Sequence, residues 1–310
     1  MRYLKQLLCL LIFANLNFSC KNNNDETKTT VTPIIFKDII EEDYELHTSS
    51  QPANAVLMLF GGFPENASDI KREFKILEKA KDHNIAVLYM NYNRKIWLKE
   101  QELTQLTEQF HSIFKLHNLS VNNVYIGGFS SGGNMALLVS NALTDKEAHI
   151  IPKGVFIVDS PIDLVALYNT AQTNVDRNVS NAAVQESTWL LKTLNSTFGH
   201  PNDSLSRYEK YAVFTSKTNN FNNIKNLKNT KIRLYTEPDT LWWKNTMMAK
   251  YNELNAYYIK KLSQSLQNHN FKDVSYIPTQ NKGYRSNGDR HPHSWAIVDT
   301  ENLIDWMLNE

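Results

Sequence analysis

Val124-Tyr125-Ile126-Gly127-Gly128-Phe129-Ser130-Ser131-Gly132-Gly133 is the stretch whose reading decides the fold. An apolar run enters Gly128-Phe129-Ser130-Ser131-Gly132, and a helical apolar pattern from Met135 to Leu143 follows at once. A Gly-x-Ser-x-Gly between a strand and a helix places its serine on a sharp turn, exposed as a nucleophile. Side chains two residues to either side of that serine would collide, and glycine at 128 and 132 removes the collision. Ser130 would stand at the helix N-terminus, where free N–H groups and the dipole favour a developing negative charge. The bland alternative is a Gly-rich turn with no chemistry, so the surrounding chain has to decide.

Upstream, Ala55 to Phe60 and Ile85 to Met90 are continuous apolar runs of strand length. Continuous rather than alternating apolarity means burial on both faces, as in a parallel sheet. Helical spacing appears between them at Ser68 to Lys81 (Ile70, Phe74, Leu77), and again at Gln101 to Leu116. Downstream come strands at Gly154 to Val158, Lys231 to Tyr235 and Val274 to Pro278. A long helix is expected from about Lys244 to Leu266, and a last one from about Ser294 to Leu308. Thr32 to Ser50 supplies one or two edge strands. Strands alternating with helices build βαβ units and a mostly parallel sheet, with sites beyond the carboxyl ends of the strands. Phe60-Gly61-Gly62, Ser130 and Asp159 all fall at such ends. The alternation breaks from Pro161 to about Lys228, which reads as an insertion capping the site.

The chain has 310 residues, 42% of them hydrophobic, and a formal charge of +1. That permits a sizeable core and gives no reason to expect a nucleic-acid partner. Its two cysteines, Cys9 and Cys20, both lie at the N-terminus, so the main body has no disulfide framework. Arg2 and Lys5 precede an apolar stretch from Leu7 to Phe18, which reads as a signal peptide over 1–19. Its end at Phe18-Ser19-Cys20 resembles a bacterial lipoprotein signal, with Cys20 lipidated. Residues 20–32 are a polar tether and 33–310 the folded domain. The localisation expected from this start is the bacterial cell envelope, outside the cytoplasm, held to the membrane by a lipid anchor. The histidines outside the loop near 291 have no metal-ligand spacing, and neither a metal nor another cofactor is expected.

A serine needs a base within hydrogen-bond reach and a group that orients the base. The chain offers Ser130, then acids after a late strand, then His291 and His293 between the last strand and the last helix. With that order of parts, residues 50 to 310 resemble the α/β-hydrolase superfamily, and His293-Ser294-Trp295 is similar to a segment of its esterase-type members. The resemblance implies a three-layer α/β fold, mostly parallel sheet flanked by helices, with 161–228 as a cap. It implies Ser130 as nucleophile and Asp239 as acid, with Glu237 as competitor and Asp159 or Asp163 as fallback. The base is His293, with His291 as alternative. Oxyanion donors would be the N–H of Ser131 and that of Phe63, with Gly62 as alternative; Phe60 to Pro64 is similar to the family's oxyanion segment but lacks its His. Asp239 also suits a helix cap. Trp242, Trp243 and Trp295 are candidate walls for an acyl or sugar pocket. The activity implied is cleavage of a small-molecule, glycan or lipid ester through an acyl-enzyme. The alternatives are a serine peptidase, or a ligand-binding lipoprotein that keeps the fold without catalysis.

Overall fold

The computed structural model describes residues 34–92, 94–144 and 150–309; the leader, the tether and Cys20 lie outside the described residues. Eight strands form one sheet: β1 (Phe36–Ile40), β2 (Tyr44–Ser49), β3 (Ala55–Phe60), β4 (Ile85–Met90), β5 (Val124–Phe129), β6 (Pro152–Val158), β7 (Lys231–Thr236) and β8 (Val274–Pro278). Their spatial order is β1-β2-β4-β3-β5-β6-β7-β8. From β4 to β8 the pairs are parallel, while β2 is antiparallel to both β1 and β4. Where one or two edge strands were expected there are two strands, β1 at the edge and β2 between it and β4. Pro278 ends β8 at the opposite edge, where its missing N–H costs no ladder bond.

The apolar runs are buried on both faces because two helical layers enclose them. Alternate residues of one strand point to opposite faces. Val56, Met58 and Phe60 join a core with α3 (Glu100–Leu116), α4 (Ser131–Leu143) and α9 (Asn255–Asn268). Leu57 and Leu59 join a second core with α1 (Ala67–Glu73), α2 (Leu77–Asp82) and α10 (Thr300–Leu308). A third cluster, including Leu164, Tyr168, Leu190 and Phe198, comes mostly from the segment between β6 and β7, with Ile96 joining it from the loop after β4. That segment carries α5 (Leu164–Arg177), α6 (Asn181–Phe198) and α7 (Leu205–Glu209), then a 3-10 stretch at Asn222–Asn229. It is the insertion expected over 161–228, packed around its own core.

Three expected helices are broken. The pattern at 68–81 is two helices, because Phe74, at φ −107° and ψ 85°, leaves the helical conformation and ends α1. The run at 244–266 splits into α8 (Thr240–Met247), a 3-10 turn at Tyr251–Glu253, and α9. Met248, in the left-handed conformation at φ 54°, ends α8. At the C-terminus Asp299 caps α10 through Asn302 N–H (3.1 Å), which leaves Trp295–Ile297 as a separate 3-10 turn.

Candidate active site

β5 is central in the sheet, between β3 and β6, and delivers Ser130 at its carboxyl end. Ser130 has φ 52° and ψ −128°, a strained conformation for a residue with a side chain, and α4 starts at the next residue. The two glycines of the motif are required by close approach. A Cβ on Gly128 would lie 2.1 Å from the Gly132 carbonyl oxygen, and one on Gly132 would lie 2.4 Å from the Phe60 and Gly61 carbonyl oxygens. Ser130 N–H donates to Val158 O (2.9 Å), which ties the turn to β6. Among the described residues, Ser131 N–H at the start of α4 meets no acceptor, as the first turn of a helix allows.

His293 lies on the loop after β8. Its Nδ1 bonds to Asp159 Oδ2 at 2.7 Å, so its Nε2 is the ring nitrogen left to act as a base. Asp159 directly follows β6, with φ 46°, a conformation that Asp tolerates better than most residues. It is 6% exposed. Three further bonds hold it. Its N–H donates to Tyr235 O (2.9 Å), Thr236 Oγ1 donates to its Oδ1 (2.5 Å), and Asn255 Nδ2 donates to its carbonyl (2.9 Å).

The carboxylates after β7 are engaged elsewhere, which corrects the expectation for Asp239. Asp239 accepts from Trp242 N–H (3.0 Å) as the cap of α8 and pairs with Arg290 (2.7 Å), away from His293. Glu237, almost wholly buried, accepts from Lys282 N–H (2.8 Å), Gly283 N–H (3.0 Å) and Thr279 Oγ1 (3.0 Å), and pairs with Arg290. It thereby anchors the loop that carries His293. Asp163 caps α5 through Val165 and Ala166 N–H groups (both 3.0 Å) and also accepts from Ser216 N–H (2.8 Å). His291 has no carboxylate partner among the described residues. Its Nδ1 meets His293 O at 2.9 Å and its ring packs on Trp242 and Trp243. Burial first, then His293 and Arg285, lower its pKa to about 4, so it is neutral near pH 7.

The loop after β3 abuts Ser130: a Cβ on Gly62 would lie 3.1 Å from Ser130 Cβ. The two expected donors on this loop differ. Gly62 N–H is occupied by Glu65 Oε2 (2.9 Å), whereas Phe63 N–H meets no acceptor among the described residues. Phe63 and Ser131 therefore hold the open donors beside Ser130, and Gly62 does not.

No protein-family model matches the sequence, and no curated protein does. Solved structures do. An esterase of the bacterial hormone-sensitive lipase family superposes with a TM-score of 0.52 at 12% identity, over 89% of this chain and 84% of that one. EstE5, in crystals soaked with p-nitrophenyl butyrate, gives 0.52 at 11% identity, over 89% and 86%. An esterase from Rhizomucor miehei gives 0.52 at 13% identity, over 89% and 83%. The chain has the α/β-hydrolase fold.

In this α/β-hydrolase fold a cavity of about 780 Å³ opens over Ser130, and Asp159, His293, Phe63 and Ser131 also line it. Leu167, Trp189 and Leu190 of the inserted helices line it too, as do Trp242 and Trp243 of α8. Phe63 packs against Trp189 with ring centroids 4.8 Å apart and planes tilted by 39°, so the loop after β3 and the insertion meet directly. Trp295 is almost wholly buried instead, stacked on Phe74 (4.6 Å) and near Phe129 (5.4 Å). Among the described residues, no group of three or more His, Cys, Asp or Glu is placed to hold a metal ion. Among the cavity residues that escaped the sequence reading is Glu65, three residues after Gly62. A carboxylate beyond a Gly-Gly-Phe-Pro turn has no periodic or motif signal, and only its contacts single it out.

Proposed function

We propose that the protein is a serine hydrolase that cleaves a carboxylic ester through an acyl-enzyme, with Ser130, His293 and Asp159 as its triad. The observation that carries this reading is the 2.7 Å bond between Asp159 and His293 on the wall of the cavity that holds Ser130. Ser130 Oγ attacks the ester carbonyl while His293 Nε2 takes its proton. Asp159 keeps the other imidazole proton on Nδ1 and stabilises the imidazolium. Phe63 and Ser131 N–H groups bind the negative oxygen of the tetrahedral intermediate. Collapse breaks the ester C–O bond, and His293 returns its proton to the leaving alcohol. Water then attacks the acyl-enzyme, with His293 again as base, and releases the acid and free Ser130.

The solved structures above are of esterases, which supports an ester rather than an amide as substrate. The fluorophosphonate reaction tests the assignment, together with hydrolysis of p-nitrophenyl esters of graded chain length. Covalent labelling on Ser130 and its loss in Ser130→Ala are expected. No label on the wild type, or equal label on the variant, sinks the mechanism. We further propose that Cys20 tethers the enzyme to a membrane by its lipid. Cys20→Ala should then move the protein from the membrane fraction of its native host to the soluble one, and an unchanged distribution would rule the anchor out.

A further inference from the structure

Glu65 has no part in the chemistry above, yet its carboxylate sits beside that chemistry. Oε2 accepts Gly62 N–H at 2.9 Å and the Trp295 indole N–H at 3.1 Å. Glu65's own N–H donates to the Gly62 carbonyl at 2.6 Å. The two donors on Oε2 belong to different loops. Gly62 immediately precedes Phe63, whose N–H is the open oxyanion donor, and Trp295 lies two residues beyond His293. One carboxylate oxygen therefore joins the oxyanion loop to the histidine loop.

The loop has little slack. A Cβ on Gly61 would meet Glu65 Cβ at 2.7 Å, and Gly62 lies against Ser130. Burial raises the pKa of Glu65 above the usual carboxylate range, against the two bonds on Oε2 and the attraction of His293. Closing a turn alone does not call for a carboxylate in so unfavourable a place, since an exposed polar side chain would serve. Gains from placing a donor correctly are large, because an oxyanion donor acts only if it points where the charge develops.

We propose that Glu65 is a positioning residue, which aims Phe63 N–H at the oxyanion and fixes the His293 loop against it through the oxygen shared by Gly62 and Trp295. The proposal rests on the reading of Ser130 as the nucleophile of a hydrolase. Glu65 touches no reacting atom; its effect is on the rate of the chemical step and not on substrate affinity.

Steady-state hydrolysis of a p-nitrophenyl ester by three variants tests it, with circular dichroism and melting curves to establish folding. Glu65→Met keeps much of the side-chain volume and removes both acceptors. Its kcat should fall about 10- to 100-fold, with KM within about threefold of wild type. Glu65→Gln retains an acceptor oxygen without the charge and should hold kcat within about threefold. Trp295→Phe removes one of the two bonds and should cost about fivefold in kcat, which keeps the proposal testable if Glu65→Met does not fold. A Glu65→Met enzyme with unchanged kcat, a loss confined to KM, or a Gln variant as poor as the Met variant would each overturn it. A wild type that neither takes a fluorophosphonate label nor hydrolyses any ester defeats the hydrolase reading itself, and this proposal with it. A wild type that labels on Ser130 beside a fully active Glu65→Met defeats only the role of Glu65.

Discussion

Exchanging the acid for its amide separates the two candidate carboxylates. Asp159 Oδ1 receives the Thr236 hydroxyl and Oδ2 meets His293 Nδ1. In Asp159→Asn the Thr236 hydroxyl draws the amide oxygen to its side, which turns the NH2 toward His293. Nδ1 must then accept, so the imidazole proton moves to Nε2, the nitrogen that has to take the proton of Ser130. The same tautomer error in a Ser-His-Asp protease lowers kcat about 10⁴-fold, which corresponds to about 5 kcal/mol of barrier. A loss of about 10²- to 10⁴-fold is expected here, read as kcat on a p-nitrophenyl ester and as the second-order rate of fluorophosphonate labelling. Asp239→Asn is the control. Its amide oxygen still caps α8, and Arg290 keeps Glu237, so the lost ion pair should cost at most about 1 kcal/mol of stability and leave kcat within about threefold. The reasoning is refuted if Asp239→Asn abolishes activity while Asp159→Asn retains most of it.

Three other outcomes follow from the same geometry. Glu237→Ala takes the buried acceptor from two loop N–H groups and from Thr279 Oγ1, while Arg290 keeps Asp239, so a loss of about 2–5 kcal/mol in chemical unfolding is expected, along with a lower kcat as the His293 loop loosens; unchanged stability would deny the anchoring role. Ser130→Gly relieves a strained φ/ψ of about 1–3 kcal/mol and loses up to about 1 kcal/mol to the freer unfolded chain, so its melting midpoint should equal or exceed that of the wild type. A clearly lower midpoint would mean that the turn is not strained. His291 is held neutral down to about pH 4, whereas the unfolded chain takes up that proton below its ordinary 6.5. Stability due to this residue is therefore complete above 6.5 and is lost as the pH falls toward 4. His291→Asn should show a shallower fall in melting midpoint across that window, and parallel curves would refute the assignment.

The candidate site was legible to the extent that it lies on periodic elements. Ser130 was readable because its turn demands glycines at 128 and 132, and their close contacts with Gly132 and with the end of β3 bear out that demand. Two histidines stand between the last strand and the last helix, and His293 was preferred to His291 because His293-Ser294-Trp295 resembles a segment of esterase-type members. Asp159 was only a fallback, since the family resemblance favours the acid after β7, and nothing along the chain shows which of Asp159 and Asp239 reaches the imidazole. The helix breaks at 74–76 and after Met247 were missed for a related reason: helical spacing continues through Phe74 and Met248, whose backbone angles leave the right-handed helical region.

Local chemistry written along the chain determined the parallel α/β sheet, the insertion after β6 and the serine turn, because continuous apolar runs, helical spacing and obligatory glycines act over a few residues. Tertiary structure alone decided which carboxylate meets His293, which amides stay open beside Ser130 and what Glu65 joins. Each of those depends on where separate loops meet in space. At β7 that meeting gives Glu237 and Asp239 to Arg290, and so leaves the imidazole to Asp159.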